Sequence, residues 1–301
     1  MTRSKLRNKP QSDNHEMLST LATVIPNIFN DSQRSGTQHR RNAIALRKLQ
    51  ERCGALAAED VAQYMAQRSE GCPLVCASSQ FPGESIFSHE FVRNLNKVLP
   101  VKRRESCAEW VMQFVANFVQ YGHDIDLKQA AKRAEVEEED EEDTLTSRFT
   151  EFLMHHLLKG FNAKDKAVRQ RVCQLVAMCV NSLGEIDEEL YQELKERLFE
   201  RIHDKEPAIR VQAVIALCRL QNGEEETPSG ELDNVTKTLL NILRYDPSAE
   251  VRRAVLVSIA KTPLTLPRIL ERSRDLATVN RRFVYLKVMK EIGDFRILSI
   301  D

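Results

Sequence analysis

The side chains best suited to chemistry in this 301-residue chain are its arginines and lysines, and the chemistry they suit is the holding of anions. Between Val251 and Lys290 stand ten of them, Arg252, Arg253, Lys261, Arg268, Arg272, Arg274, Arg281, Arg282, Lys287 and Lys290, against two acids, Glu271 and Asp275. Like charges in such excess repel one another, and a polyanion relieves that repulsion. A second group, Lys102, Arg103 and Arg104, follows Pro100 at the expected start of a helix, where cations oppose the helix dipole and gain little structurally. Lysines and arginines neutralise backbone phosphates and release counterions without reading bases. The binding they give falls steeply with salt and is indifferent to sequence.

Catalytic chemistry finds no comparable footing. There is no GxxxxGK[ST] phosphate loop, no GxSxG elbow, no HExxH and no paired CxxC. His155 and His156 are adjacent, so a helix points them about 100° apart rather than at one metal. One packed and one solvated imidazole is the expectation. His203 precedes Asp204 at a helix end, a place for turn or cap duty. Cys72 and Cys76 form a CxxxC pair without a second pair or a nearby histidine, a weak pattern for zinc. The seven cysteines, with no secretory signal in view, suggest reduced thiols in an intracellular setting, with Cys173, Cys179 and Cys218 as core residues. No stretch approaches the roughly 18 apolar residues of a membrane span.

The elements that position the cations are visible in a repeat. Ala167-Val168-Arg169-Gln170, Ala208-Ile209-Arg210-Val211 and Glu250-Val251-Arg252-Arg253 each open a helix-period apolar stripe at intervals of about forty residues. Val168, Val172, Leu175, Val176 and Cys179 lie at i, i+4, i+7, i+8 and i+11, as do Ile209, Ala213, Ala216, Leu217 and Leu220, and Val251, Val255 and Ile259 follow the same rule. Such stripes must be buried against partner helices and neighbouring repeats. The expected fold class is therefore all-α, a HEAT-repeat α-solenoid of stacked antiparallel helix pairs with a concave surface free for a ligand.

Along the chain the spacing predicts a disordered basic tail over 1–14 and N-terminal repeats over 15–134 with a loop near 68–88. An acidic loop follows over 135–143, then regular repeats over 144–301. The chain carries 44 basic and 44 acidic residues, but eight of the acids fall in that loop, leaving 44 against 36 elsewhere. The loop is read as a solubilising segment or as a competitor of DNA for the basic surface. The last helix, near Arg281 to Ile292, is a poorer match, with Asn280 at the apolar position and a repeat of only 29 residues.

A structural reading stands beside the functional one. Asp204 and Arg210, and Asp246 and Arg252, share a spacing of six, suited to pairing a turn aspartate with an arginine at the stripe's edge. Arg169, Arg210 and Arg252 are thus candidates for ion pairing inside the array. Arg253 projects away from the stripe, and Arg103, Arg104, Arg281 and Arg282 are grouped with it.

The stretches FNAKDKAVRQRVCQLVAMCVNSL (161–183), EPAIRVQAVIALCRLQ (206–221), PSAEVRRAVLVSIA (247–260) and TLPRILERSRDL (265–276), with the acidic run, together resemble the non-SMC HEAT-repeat subunit of condensin, the chromosome-associated protein G or condensin subunit 3 family. The resemblance covers about Phe87 to the C-terminus. It implies a subunit without enzymatic activity or cofactor that holds double-stranded DNA in a basic groove together with the kleisin, chromosome-associated protein H. The SMC ATPase pair would be reached through the complex, and the setting would be the nucleus and the chromosome. By position it implies DNA contacts at Lys102, Arg103, Arg104, Arg252 and Arg253, to which charge adds Arg281 and Arg282. Family members are much longer, so the chain is expected to correspond to the N-terminal part of the solenoid. The rival expectation is a HEAT-repeat adaptor whose concave face binds acidic peptides.

Overall fold

The computed structural model describes residues 9–66, 80–102, 104–134, 143–180, 187–220 and 232–292, and among these there is no β-strand. Two compact units are present, Met1–Leu190 and Tyr191–Asp301. The first holds α1 (Lys9–Ser32), α2 (His39–Gly54), α3 (Ala58–Ala66), α4 (Pro82–Val98), α5 (Ser106–Ala134), α6 (Leu145–Leu158) and α7 (Lys166–Cys179). The second holds most of α8 (Glu188–Arg201), then α9 (Pro207–Arg219), α10 (Asn234–Tyr245), α11 (Ala249–Ser258), α12 (Leu266–Leu270), α13 (Thr278–Phe283) and α14 (Met289–Ile292). A 3₁₀ turn, Glu271–Arg274, follows α12, and a π turn, Val284–Val288, separates α13 from α14.

Local chemistry sets several helix starts. Thr144 Oγ1 accepts from Ser147 N at 3.0 Å, Asp165 Oδ1 from Ala167 N at 2.8 Å and Asp233 Oδ1 from Thr236 N at 3.0 Å, satisfying donors that a first turn leaves unpaired. Pro207 opens α9, where its missing N–H costs nothing. The apolar stripes are buried as their period requires: Val172, Leu175, Val176 and Cys179 in α7, Ile209, Ala213, Ala216 and Leu217 in α9, and Val251 and Val255 in α11. In the first unit the core is aromatic. Phe91 lies 5.2 Å from Phe29, 5.6 Å from Phe118 and 5.1 Å from Phe149 between ring centroids, tying α1, α4, α5 and α6 together.

The structure departs from the expected boundaries in ways with physical causes. Helix α1 begins at Lys9, inside the expected tail. Residues 82–88, expected as loop, are the first turns of α4: Pro82 is tolerated there, and Gly83 sits where an added Cβ would lie 2.0 Å from the Cys53 carbonyl oxygen of α2. Proline and glycine here mark a helix start and a close helix approach rather than a turn. Helix α5 starts at Ser106, later than the start expected just after Pro100, and continues to Ala134. Most of the acidic run and both Cys72 and Cys76 lie outside the described residues. In the short last repeat Asn280 is buried and satisfied, its Nδ2 donating to Ala249 O at 3.2 Å and Asp275 Oδ1 at 3.4 Å.

Candidate nucleic-acid interface

The recurrent arginines of the second unit form a ladder, and its atoms differ from those that the spacing of six suggests. Arg210 Nη1 donates to the backbone carbonyls of Asp204 at 2.9 Å and Lys205 at 3.3 Å, not to the Asp204 carboxylate. Its Nε and Nη2 instead take both oxygens of Asp246, one repeat later, each at 2.9 Å. Arg252 repeats the arrangement, with Nη1 on the carbonyls of Asp246 at 2.7 Å and Pro247 at 3.3 Å and its fork on Asp275 at 2.8 and 2.8 Å. Six residues of chain carry the guanidinium back over the turn's carbonyls. The turn carboxylate is meanwhile committed to its own helix, with Asp246 Oδ1 accepting from Ser248 N and Asp275 Oδ1 from Ala277 N, both at 2.8 Å.

This geometry reassigns two expected DNA contacts. Arg252 is 7% exposed and uses four of its five N–H donors inside the array. The Asp275 hydrogen bonds hold its proton more firmly than usual. Burial by itself would raise the Asp275 carboxyl, but bonds from Arg252, Ala277 N and Asn280 outweigh it and hold the group below the ordinary carboxylate range. Arg281 is half-buried, with Nη1 on the carbonyls of Asp275 at 2.7 Å and Leu276 at 3.0 Å and Nη2 on Thr278 Oγ1 at 3.0 Å. Both arginines clamp turns.

The remaining cations of this stretch divide cleanly. Lys261 pairs with Glu291, Arg268 with Glu271 at 2.8 Å, and Arg272 approaches Asp275 at 3.9 Å. Arg253, Arg274, Arg282, Lys287 and Lys290 are exposed; Lys287 lies near enough to Glu291 to help lower its carboxyl, and the other four have no ion-pair or hydrogen-bond partner among the described residues. Five of the ten cations are thus engaged inside the fold, which narrows the candidates for an anion to the other five. Arg253 and Arg282 follow Arg252 and Arg281 in matching register on the packed helices α11 and α13. Val257, Val279 and Leu286 lie one turn along from these arginines and are about half exposed.

In the first unit, Lys102 and Arg104 are exposed in the turn between α4 and α5, ahead of the helix rather than within its first turn. Arg103 lies outside the described residues. Arg104 adopts φ 72°, a left-handed conformation uncommon for any residue but glycine. The turn is gripped from α7 by Arg171, which spacing does not single out because it lies off the ladder position.

His155 is exposed beside Glu151 at 3.7 Å, while His156 is half-buried with Nε2 2.8 Å from Asn96 Oδ1. Burial, then the nearby Lys159 and His89, lowers the His156 pKa. Cys173, Cys179 and Cys218 are buried thiols. Among the described residues no three His, Cys, Asp or Glu converge as a metal site, and no helix is long and apolar enough to cross a membrane.

Comparison with known proteins is consistent across organisms. No protein-family model matches the chain. Condensin complex subunit 3 of Schizosaccharomyces pombe is 42% identical over 214 residues, 71% of this chain and 22% of that protein. Condensin complex subunit 3 of Saccharomyces cerevisiae is 32% identical over 288 residues, 93% and 25% of the respective chains, and the Homo sapiens protein of that name is 34% identical over 221 residues, 72% and 20%. Among solved structures, the crystal structure of the S. pombe condensin Cnd3–Cnd2 subcomplex contains a chain that matches with TM-score 0.61 at 35% identity, covering 91% of this chain and 28% of that one. The chain spans about a fifth to a quarter of the length of these relatives. With the stacked helix pairs, the buried repeat stripes and this agreement in sequence, the chain belongs to the condensin subunit 3 family.

Proposed function

We propose that this chain supplies a sequence-nonspecific, phosphate-binding surface to a condensin complex, acting in chromosome condensation together with a kleisin partner. The observation that carries the reading is that cations are left over once internal pairing is removed, among them Lys102 and Arg104 in one unit and Arg253 and Arg282 in the other, with Arg103 added from the sequence. A guanidinium or ammonium that stabilises nothing in its own fold is available to phosphate. No base-reading motif accompanies these residues, so contacts go to the backbone and specificity is low. The kleisin is supported by the solved two-subunit neighbour and by the exposed Val257, Val279 and Leu286, which offer a protein segment apolar surface beside Arg253 and Arg282. The role is one of binding, set on the chromosome within the nucleus, and the SMC ATPases are reached through the complex.

The test is fluorescence anisotropy of the chain with two duplexes of unrelated sequence and with an acidic peptide of equal charge, each with and without a kleisin segment. The reading expects equal affinity for the two duplexes, tightening by the kleisin, and weaker peptide binding. Preference for the peptide would replace it with a HEAT-repeat adaptor for acidic partners.

A further inference from the structure

Arg171 is among the largest side chains sealed within the described structure, at 1% exposure, and it is not a ladder arginine. The ladder position of α7 is Arg169, whose Nη1 holds the carbonyls of Ala163 and Lys164 at 2.7 and 3.0 Å. Two residues further on, Arg171 leaves the helix about 200° around its axis, and its donors converge on the segment ahead of α5. Nη2 donates to Lys102 O at 3.0 Å and Nε to Val101 O at 3.4 Å. Nη1 donates to Glu109 Oε1 at 2.6 Å and Gln174 Oε1 at 3.2 Å, and Gln174 Nε2 closes the network on Glu109 Oε2 at 2.6 Å.

Two of the three nitrogens of a buried guanidinium thus hold one basic turn, and the third holds Glu109 in the first turns of α5 that follow it. The turn needs fixing: it follows the end of α4, and it contains Arg104 at φ 72°, a conformation that persists in a non-glycine residue only where the surroundings over-determine it. The carbonyl groups of Val101 and Lys102 face Arg171, while the Lys102 and Arg104 side chains are exposed. Lysine could not substitute, because an ammonium lacks the planar five-donor fork that spans a carboxylate and two carbonyls at once.

We infer that Arg171 is a positioning residue for DNA binding: it holds the turn that carries Lys102 and Arg104 pre-ordered for phosphate from a repeat further along the chain, without touching DNA itself. This rests on the reading that the turn meets the duplex. A loose turn can still neutralise phosphates, but only after being ordered, and that ordering is charged against affinity. Loss of Arg171 therefore lowers affinity while leaving the number of phosphates neutralised unchanged.

The test is a double-mutant cycle on the whole chain with a duplex over a salt series, using R171K, K102E/R104E and their combination, at a temperature where circular dichroism shows each folded. K102E/R104E is expected to lower the magnitude of the salt slope by about one for each phosphate no longer neutralised. R171K is expected to weaken binding ~3–10-fold, the lower part of the range of a coupled pair, with the slope unchanged, and to add nothing in the K102E/R104E background. E109Q, which keeps the shape of the network and removes the charge holding Nη1, supplies a milder variant if R171K does not fold, with a smaller loss of the same kind. An equal R171K or E109Q loss in both backgrounds, or no loss in the wild type, overturns the positioning role while the DNA reading stands. Unchanged affinity and slope in K102E/R104E overturns both.

Discussion

Replacing Asp275 by asparagine removes one charge from the most enclosed rung of the ladder and turns one of the two oxygens that accept from Arg252 into a donor. The Asp275 side chain is 1% exposed and that of Arg252 8%, and the two share a bidentate contact of 2.8 and 2.8 Å. Removing one partner of a buried pair costs ~3–5 kcal/mol. Asparagine keeps one oxygen, enough for the Ala277 N–H and one arm of the fork, so the expected loss is ~2–3 kcal/mol. In a cooperative unit the size of Tyr191–Asp301 that lowers the melting temperature by ~10 °C. The sign with pH follows from the depressed Asp275 pKa: the stabilisation is complete above the unfolded carboxylate value of about 4 and is lost as pH falls through the lower folded value. Calorimetric melts of wild type and D275N should therefore differ most at pH 7 and converge only well below pH 4. A difference under ~1 kcal/mol at pH 7, or one that does not shrink in acid, would refute the ladder as the source of this stability.

Three further outcomes are expected. R252M should destabilise the second unit by ~3–5 kcal/mol yet leave duplex affinity of the folded protein within about twofold, whereas R253E should leave the melt unchanged and weaken binding; anisotropy beside thermal melts separates the two. G83A should lower stability by ~1–3 kcal/mol through overpacking, because its Cβ meets the Cys53 carbonyl rather than a movable side chain, and a denaturant midpoint measures this. Among the described cysteines Cys107 is exposed, while burial pushes the Cys53 and Cys218 thiols up to about 12. Mass-mapped alkylation at pH 8 should mark Cys107 in the native state and Cys53 and Cys218 only after unfolding.

The repeat and its stripes are legible because a buried helix face repeats its apolar period with every pair. Ile209, Ala213, Leu217 and Val251 are buried as their spacing demands. What the stripe does not encode is which atoms an edge arginine meets. The spacing of six between Asp246 and Arg252 is real, but it brings the guanidinium to a carbonyl, and the carboxylate partner lies 23 residues on, in another turn. Arg252 and Arg253 are therefore alike in sequence and opposite in duty. Arg171 escapes a reading of the sequence for a similar reason: a charged residue on a half-apolar helix is ordinarily assigned to solvent, and only the fold shows a turn from another repeat above it. Pro82 and Gly83 mislead because the same pair that breaks a chain in solution also starts a helix at a tight crossing.

The claim that the unpaired cations hold DNA is tested most directly by the salt dependence of duplex binding, comparing the wild type with the combined variant K102E/R104E/R253E/R282E, whose four sites bear no fold interactions through their side chains among the described residues. The account predicts an unchanged melting temperature, a drop in affinity of at least tenfold and a flatter plot of log affinity against log salt, by about one unit of slope for each phosphate no longer neutralised. A variant that melts like the wild type and binds with the same slope and affinity would contradict it.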